Sequence, residues 1–114
     1  MSQSLKILKA LTDATRLRLV ALLSREELSV NELKEITELG QSRISTHLGV
    51  LQDNGLLKFR KDGKRSLYRT NSEANSQARE CLEIARRIAT ESDENEQDAR
   101  NLKRVLEQRS EQAQ

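Results

Sequence analysis

The stretch Gln41–Leu57, "QSRISTHLGVLQDNGLL", decides how the rest of the chain is read. Ile44, Leu48 and Leu51 recur at helical spacing, while Ser42, Arg43, Ser45 and Thr46 crowd the opposite side with short polar and basic groups. Asn54-Gly55 then stops the helix, and a short run of mostly basic residues follows. A helix of this kind is either a solvated surface element or one shaped to touch something. Its neighbours decide between the two.

Downstream the period changes. In "LLKFRKDGKRSLYRT" apolar and basic residues alternate at Leu57, Phe59 and Leu67, and Asp62-Gly63 between the two arms predicts a β-hairpin. Lys58–Arg69 carries six basic residues and one acidic, a local patch suited to a polyanion. Upstream, Ser29 and Glu32 have the spacing of a capping box at the start of a short helix, "VNELKEIT", which sends Leu33 and Ile36 inward. The segment 38–40, "ELG", reads as a turn, with Gly40 where a left-handed or capping conformation is needed.

Two short helices joined by a tight turn and followed by a basic hairpin make a winged helix-turn-helix. In that arrangement the second helix lies in the DNA major groove and the first braces it across the backbone. The candidate reading residues are Gln41, Ser42, Arg43, Ser45 and Thr46, with His47 in the same helix as a packed or phosphate-facing imidazole. Gln bonds adenine bidentately, Arg bonds guanine, and Ser or Thr bonds bases or phosphates. The wing sets Arg60, Lys61, Lys64 and Arg65 against phosphates or into the neighbouring minor groove. A serine-rich face alone is usually just wet, and a basic hairpin alone is usually an edge protected by charge. Adjacent and in this order, the two together favour DNA.

The rest of the chain supplies a core. "SLKILKAL" is the first helix, with Leu5, Leu8 and Leu11 three apart and Ile7 beside them. "TDATRLRLVALLS" follows, capped by Thr12 or Asp13, and its two apolar stripes (Leu17, Val20, Ala21 and Leu19, Leu22, Leu23) place it at the centre. After the hairpin, Ala78, Cys81, Leu82, Ala85, Ile88 and Ala89 form one stripe. The last segment has only Leu102, Val105 and Leu106 as its main apolar face, too thin to stand without a partner. The expected fold is therefore mainly α with a small β-hairpin, in the order α-α-α-α-β-β-α plus a C-terminal helical extension.

Composition narrows the class. The chain has 114 residues, one domain by length, with 33% charged residues and no proline. Its net charge of +2 hides an asymmetry, +5 over residues 1–70 and −3 over 71–114. The early apolar stretch Ala10–Leu23 is cut by Asp13, Arg16 and Arg18, so it is neither a signal peptide nor a membrane span. One cysteine, Cys81, makes no internal disulfide and suggests a reducing, cytoplasmic home. There is no nucleophile–base set, metal cluster or phosphate loop, so the expectation is no enzyme and no cofactor.

At this point "DATRLRLVALL", "SVNEL", "QSRISTHLGVLQDNGLL" and "KDGKRSLYR" resemble, in order and spacing, the ArsR/SmtB group of bacterial repressors. The match covers roughly residues 5–90. Its most specific part is Ser45, His47, Leu48, Leu51, Gly55 and Leu56, followed by a basic wing ending near Tyr68. The resemblance implies a cytoplasmic homodimer that binds an imperfect inverted repeat, a palindromic operator on double-stranded DNA, and is released by a ligand. It also implies a dimer interface from the first helix and the helix after the wing: Leu5, Leu8, Leu11, Cys81, Leu82, Ala85 and Ile88. Residues 1–90 then form the DNA-binding and dimerisation domain and 91–114 a polar helical extension.

The chain departs from that family where effectors bind. Where a Cys-x-Cys pair holds metal in many members, this chain has Ser29 and Asn31. In the helix after the wing it offers Glu73, Glu80 and Glu83 without a histidine. One Cys and one His cannot build a zinc or arsenic site from one subunit, so no metal is expected and the effector is an unidentified small molecule. Cys81 reads as a small hydrophobe more than as a thiol switch. Ala14 stands where the family often has proline. The tail resembles extensions found where such domains are fused to adenosylmethionine-dependent methyltransferases. The competing reading is a protein-interaction module or a regulatory domain related to such fusions, its C-terminal helix binding a partner.

Overall fold

A computed structural model describes residues 1–112. Ala113 and Gln114, the end of the expected extension, lie outside the described residues. The order is α1 (Gln3–Leu11), α2 (Ala14–Arg25), α3 (Val30–Thr37), α4 (Gln41–Asp53), β1 (Leu57–Asp62), β2 (Arg65–Thr70), α5 (Ser76–Ala89) and α6 (Asn95–Gln112). The expected order stands, with the extension a single 18-residue helix.

Local chemistry explains most boundaries. Ser2, Asp13, Ser29 and Asn75 each accept a backbone amide as N-cap, and the capping box between Ser29 and Glu32 is complete in both directions. Of the two caps expected for α2, Asp13 is the one used. α2 is the central helix, with Leu19, Val20, Leu22 and Leu23 buried among side chains of every other helix.

Of the two conformations expected at Gly40, the capping one is found: Gly40 is the N-cap of α4, in an extended conformation without a side-chain bond, and the left-handed residue of this turn is Glu38, at φ 63°. One turn reading needs correction. The hairpin turn is one residue later than Asp62-Gly63. Asp62 pairs with Arg65, so Gly63 and Lys64 form the loop, and Gly63 alone takes positive φ, 65°. That is a type II′ pattern, whose first loop position favours glycine. β2 is extended on its other side by a bridge from Leu28 to Tyr68, which ties the wing to the chain ahead of α3.

The extension is docked along α3 and α2. Leu102 and Val105 are buried in the common core. Asp98 accepts Arg18 Nε and Nη2, both at 2.9 Å, and Asn101 Nδ2 donates to the Ile36 carbonyl at 2.8 Å. The partner that this thin apolar face requires is therefore the chain's own α3.

Candidate nucleic-acid interface

α4 is held by three buried side chains, Ile44, Leu48 and Leu51, which leaves Gln41, Ser42, Arg43, Ser45 and Thr46 exposed on its outer side. Within that face the hydrogen-bonding capacity is not uniform. Thr46 Oγ1 donates to the Ser42 carbonyl at 2.9 Å, so its hydroxyl proton is held by its own helix. Arg43 Nη2 donates to Thr15 Oγ1 at 3.0 Å, anchoring the side chain at the start of α2. Gln41, Ser42 and Ser45 carry no such tie among the described residues.

His47 is half-buried. Its Nδ1 lies 3.0 Å from Arg16 Nη1, and Arg16 Nε donates to the Ala10 carbonyl near the end of α1. One guanidinium thus joins α1, α2 and the reading helix. Burial pushes the neighbouring Asp13 carboxyl up, but the Arg16 amide and charge more than offset this and hold it below its usual value. Thr15 and Arg16 contact α4 side chains, which the sequence reading did not anticipate. The only signal available was their place one turn inside a capped helix.

The wing divides into paired and open cations. Arg60 Nε reaches both Glu27 carboxylate oxygens at 3.1 Å, and Arg69 approaches the same carboxylate at 3.7 Å. Arg65 lies 3.4 Å from Asp62 and 3.9 Å from Glu32. Lys61 and Lys64 are exposed and take part in no ion pair among the described residues. Lys64 and Arg65 face Gln41 across an open groove of about 770 Å³ that α3 and the end of α6 also border. The wing and the start of the reading helix therefore share one edge of the molecule.

Of the residues implied for a dimer face, Leu5, Leu8 and Ile88 are about half exposed and Cys81 is half-buried. Leu11, Leu82 and Ala85 are buried in the chain's own core and have little surface for a second copy. The reason is geometric: apolar residues three apart fall about 60° behind the helical turn at each step, so Leu5, Leu8 and Leu11 do not share a face. Ile84, which the sequence reading did not single out, is exposed on α5. α1 and α5 touch through Ser4 Oγ, which donates to Gln77 Oε1.

Among the described residues no cluster of three potential metal ligands occurs, and no helix is long and apolar enough to cross a membrane.

Residues 13–58 match the family model described as bacterial regulatory protein, arsR family. The chain is 32% identical over 87 residues to the transcriptional activator HlyU of Vibrio cholerae, covering 76% of this chain and 78% of that protein. It is 40% identical over 67 residues to the arsenical resistance operon repressor of Staphylococcus xylosus, 59% of this chain and 64% of that one. Among solved structures it superposes, at a TM-score of 0.64 and 27% identity, on the homodimeric winged helix-turn-helix DNA-binding domain of Mb0332 from Mycobacterium bovis. That match covers 78% of this chain and 80% of the other.

Proposed function

The chain belongs to the arsR family of bacterial regulatory proteins, winged helix DNA-binding transcriptional regulators that are not enzymes, and we propose that it acts as a homodimeric repressor. It reads an inverted repeat on double-stranded DNA, with Gln41, Ser42, Arg43 and Ser45 at base edges. Lys61 and Lys64 rest on phosphates, and a small-molecule effector releases the complex.

The observation that carries this reading is an exposed polar face on α4 whose first residue, Gln41, lines the same groove as the unpaired wing residue Lys64. Support for the dimer comes from Leu5, Leu8, Ile84 and Ile88, large apolar side chains between 45% and 53% exposed on two helices that touch. One short helix and one wing read few bases, whereas two copies read half-sites about 34 Å apart. The interaction-module reading loses its motive, because α6 covers its apolar face within the chain.

Salt dependence of DNA binding tests the proposal. Neutralised phosphates release counterions, so affinity for duplex DNA is expected to fall steeply and linearly on a double-logarithmic plot. A flat salt response would contradict phosphate contacts and return the interaction-module reading.

A further inference from the structure

One buried carboxylate, Glu32, stands between the tail helix and the wing. Its Oε1 accepts the Ser29 amide at 2.9 Å and Arg109 Nη2 at 2.6 Å, and its Oε2 accepts Arg109 Nε at 2.5 Å. Arg65 of β2 approaches the same Oε2 through Nη1, but only to 3.9 Å, beyond hydrogen-bond distance. Its other contact, Asp62 at 3.4 Å, joins two side chains that are each about half exposed, and such pairs hold a side chain weakly. Glu32, Arg65 and Arg109 border the same groove as Gln41 and Lys64.

Two guanidinium groups thus face one carboxylate, and the one from α6 holds it. A buried carboxylate that loses its cation is costly until another replaces it, and Arg65 is the cation within reach. We infer that Arg109 is a positioning residue for the wing: by occupying Glu32 it keeps that carboxylate from capturing Arg65, whose guanidinium then meets a DNA phosphate beside Lys64. This rests on the DNA-binding reading above and deepens it, adding a wing arginine as a phosphate contact and a tail residue that controls it. Loss of Arg109 releases only the end of α6, because Leu102 and Val105 lie in the core and Asp98 holds Arg18. Arg65 belongs to the wing, so its capture by Glu32 does not refasten α6. The coupling is reciprocal. A phosphate that draws Arg65 away leaves Glu32 to Arg109 alone, so DNA binding tightens the end of α6.

The test is a set of salt titrations of the full chain on a random-sequence duplex. Wild type is compared with Arg65→Ala, Arg109→Ala, Arg109→Lys and two double variants, Arg65→Ala/Arg109→Ala and Glu32→Gln/Arg109→Ala. Glutamine keeps an acceptor for the Ser29 amide but has no charge with which to capture Arg65. Arg65→Ala and Arg109→Ala are each expected to lower the salt slope by about one unit. The first double should fall no further than either single, and the second should return to the wild-type slope. Arg109→Lys, which keeps a cation at Glu32, should stay closer to wild type than Arg109→Ala does. A slope unchanged by either single substitution would overturn the inference. Additive losses in the first double would overturn it too, by showing that Arg109 meets phosphate itself. No recovery in the second double would assign the loss to the docking of α6 rather than to Glu32. Amide exchange reads the reciprocal effect: saturating duplex should slow exchange over residues 106–112 in wild type more than in Arg65→Ala, and equal protection in both would contradict the coupling. A flat wild-type slope would refute DNA binding and this inference with it, whereas a steep one alongside any of these failures would sink the inference alone.

Discussion

Base preference is proposed to turn on Arg43, whose Nη2 donates to Thr15 Oγ1. Replacing it with alanine is expected to relax base preference and to weaken cognate duplex more than random duplex, by about 1–3 kcal/mol. Equal losses on both, measured by anisotropy titration, would show that another residue does the reading. Lys64 sits in the wing turn and takes part in no ion pair among the described residues, so Lys64→Ala is expected to weaken all sequences alike and to lower the salt slope by about one unit. Arg60 differs, because a phosphate must compete with Glu27 for it. Arg60→Ala should therefore change the slope less than Lys64→Ala does in the same titration. That division between open and paired wing cations was not legible in the sequence, where all four look alike. It depends on Glu27 and Glu32, which precede the wing by about thirty residues.

At the scale of elements, α6 is the part whose docking needs explanation. Arg109 donates to both Glu32 oxygens and to the Glu27 carbonyl, so the tail helix is bolted to the capping box of α3. Arg109→Ala leaves the largely buried Glu32 without its cation and is expected to cost about 1–3 kcal/mol. Amide exchange should accelerate in α6 before it does in α2. Burial pushes the Glu32 carboxyl up, but Arg109 and the Ser29 amide outweigh it and hold it below its ordinary value of 4.5. A depressed carboxyl contributes stability that is complete above its unfolded pKa and is lost as pH falls through the folded one. The α6 contact should therefore be intact at neutral pH and weaken in the acid range below 4.5, and Arg109→Ala should remove that acid step from a stability–pH profile. The caps of α2 and α3 and the end of α4 at Asn54-Gly55 were legible because each rests on residues within one turn. The docked tail was not. The sequence shows that segment only as polar with a thin apolar face, yet Asp98 and Asn101 within it are buried, on partners 80 and 65 residues away. Glu38 was hidden by Gly40, the residue that propensity prefers for a left-handed turn.

For the whole molecule, the order of elements, the helix pair and the basic hairpin were all present in the sequence, whereas the expected dimer face was legible only in part, since Leu11, Leu82 and Ala85 are buried in the chain's own core. Leu8→Asp or Ile88→Asp places a charge on the exposed apolar face without touching the core, so the variants should fold yet run as monomers by light scattering. They should also lose operator affinity far more than they lose helicity. A dimer that survives both changes would move the interface elsewhere. The most direct measurement is selection from a random duplex library with the purified chain, followed by sequencing. Enrichment of an inverted repeat with half-sites about ten base pairs apart is the expected result, from two reading helices one DNA turn apart. Recovery of no motif from a folded protein, or of a single half-site without a repeat, would contradict a dimer that reads DNA through α4.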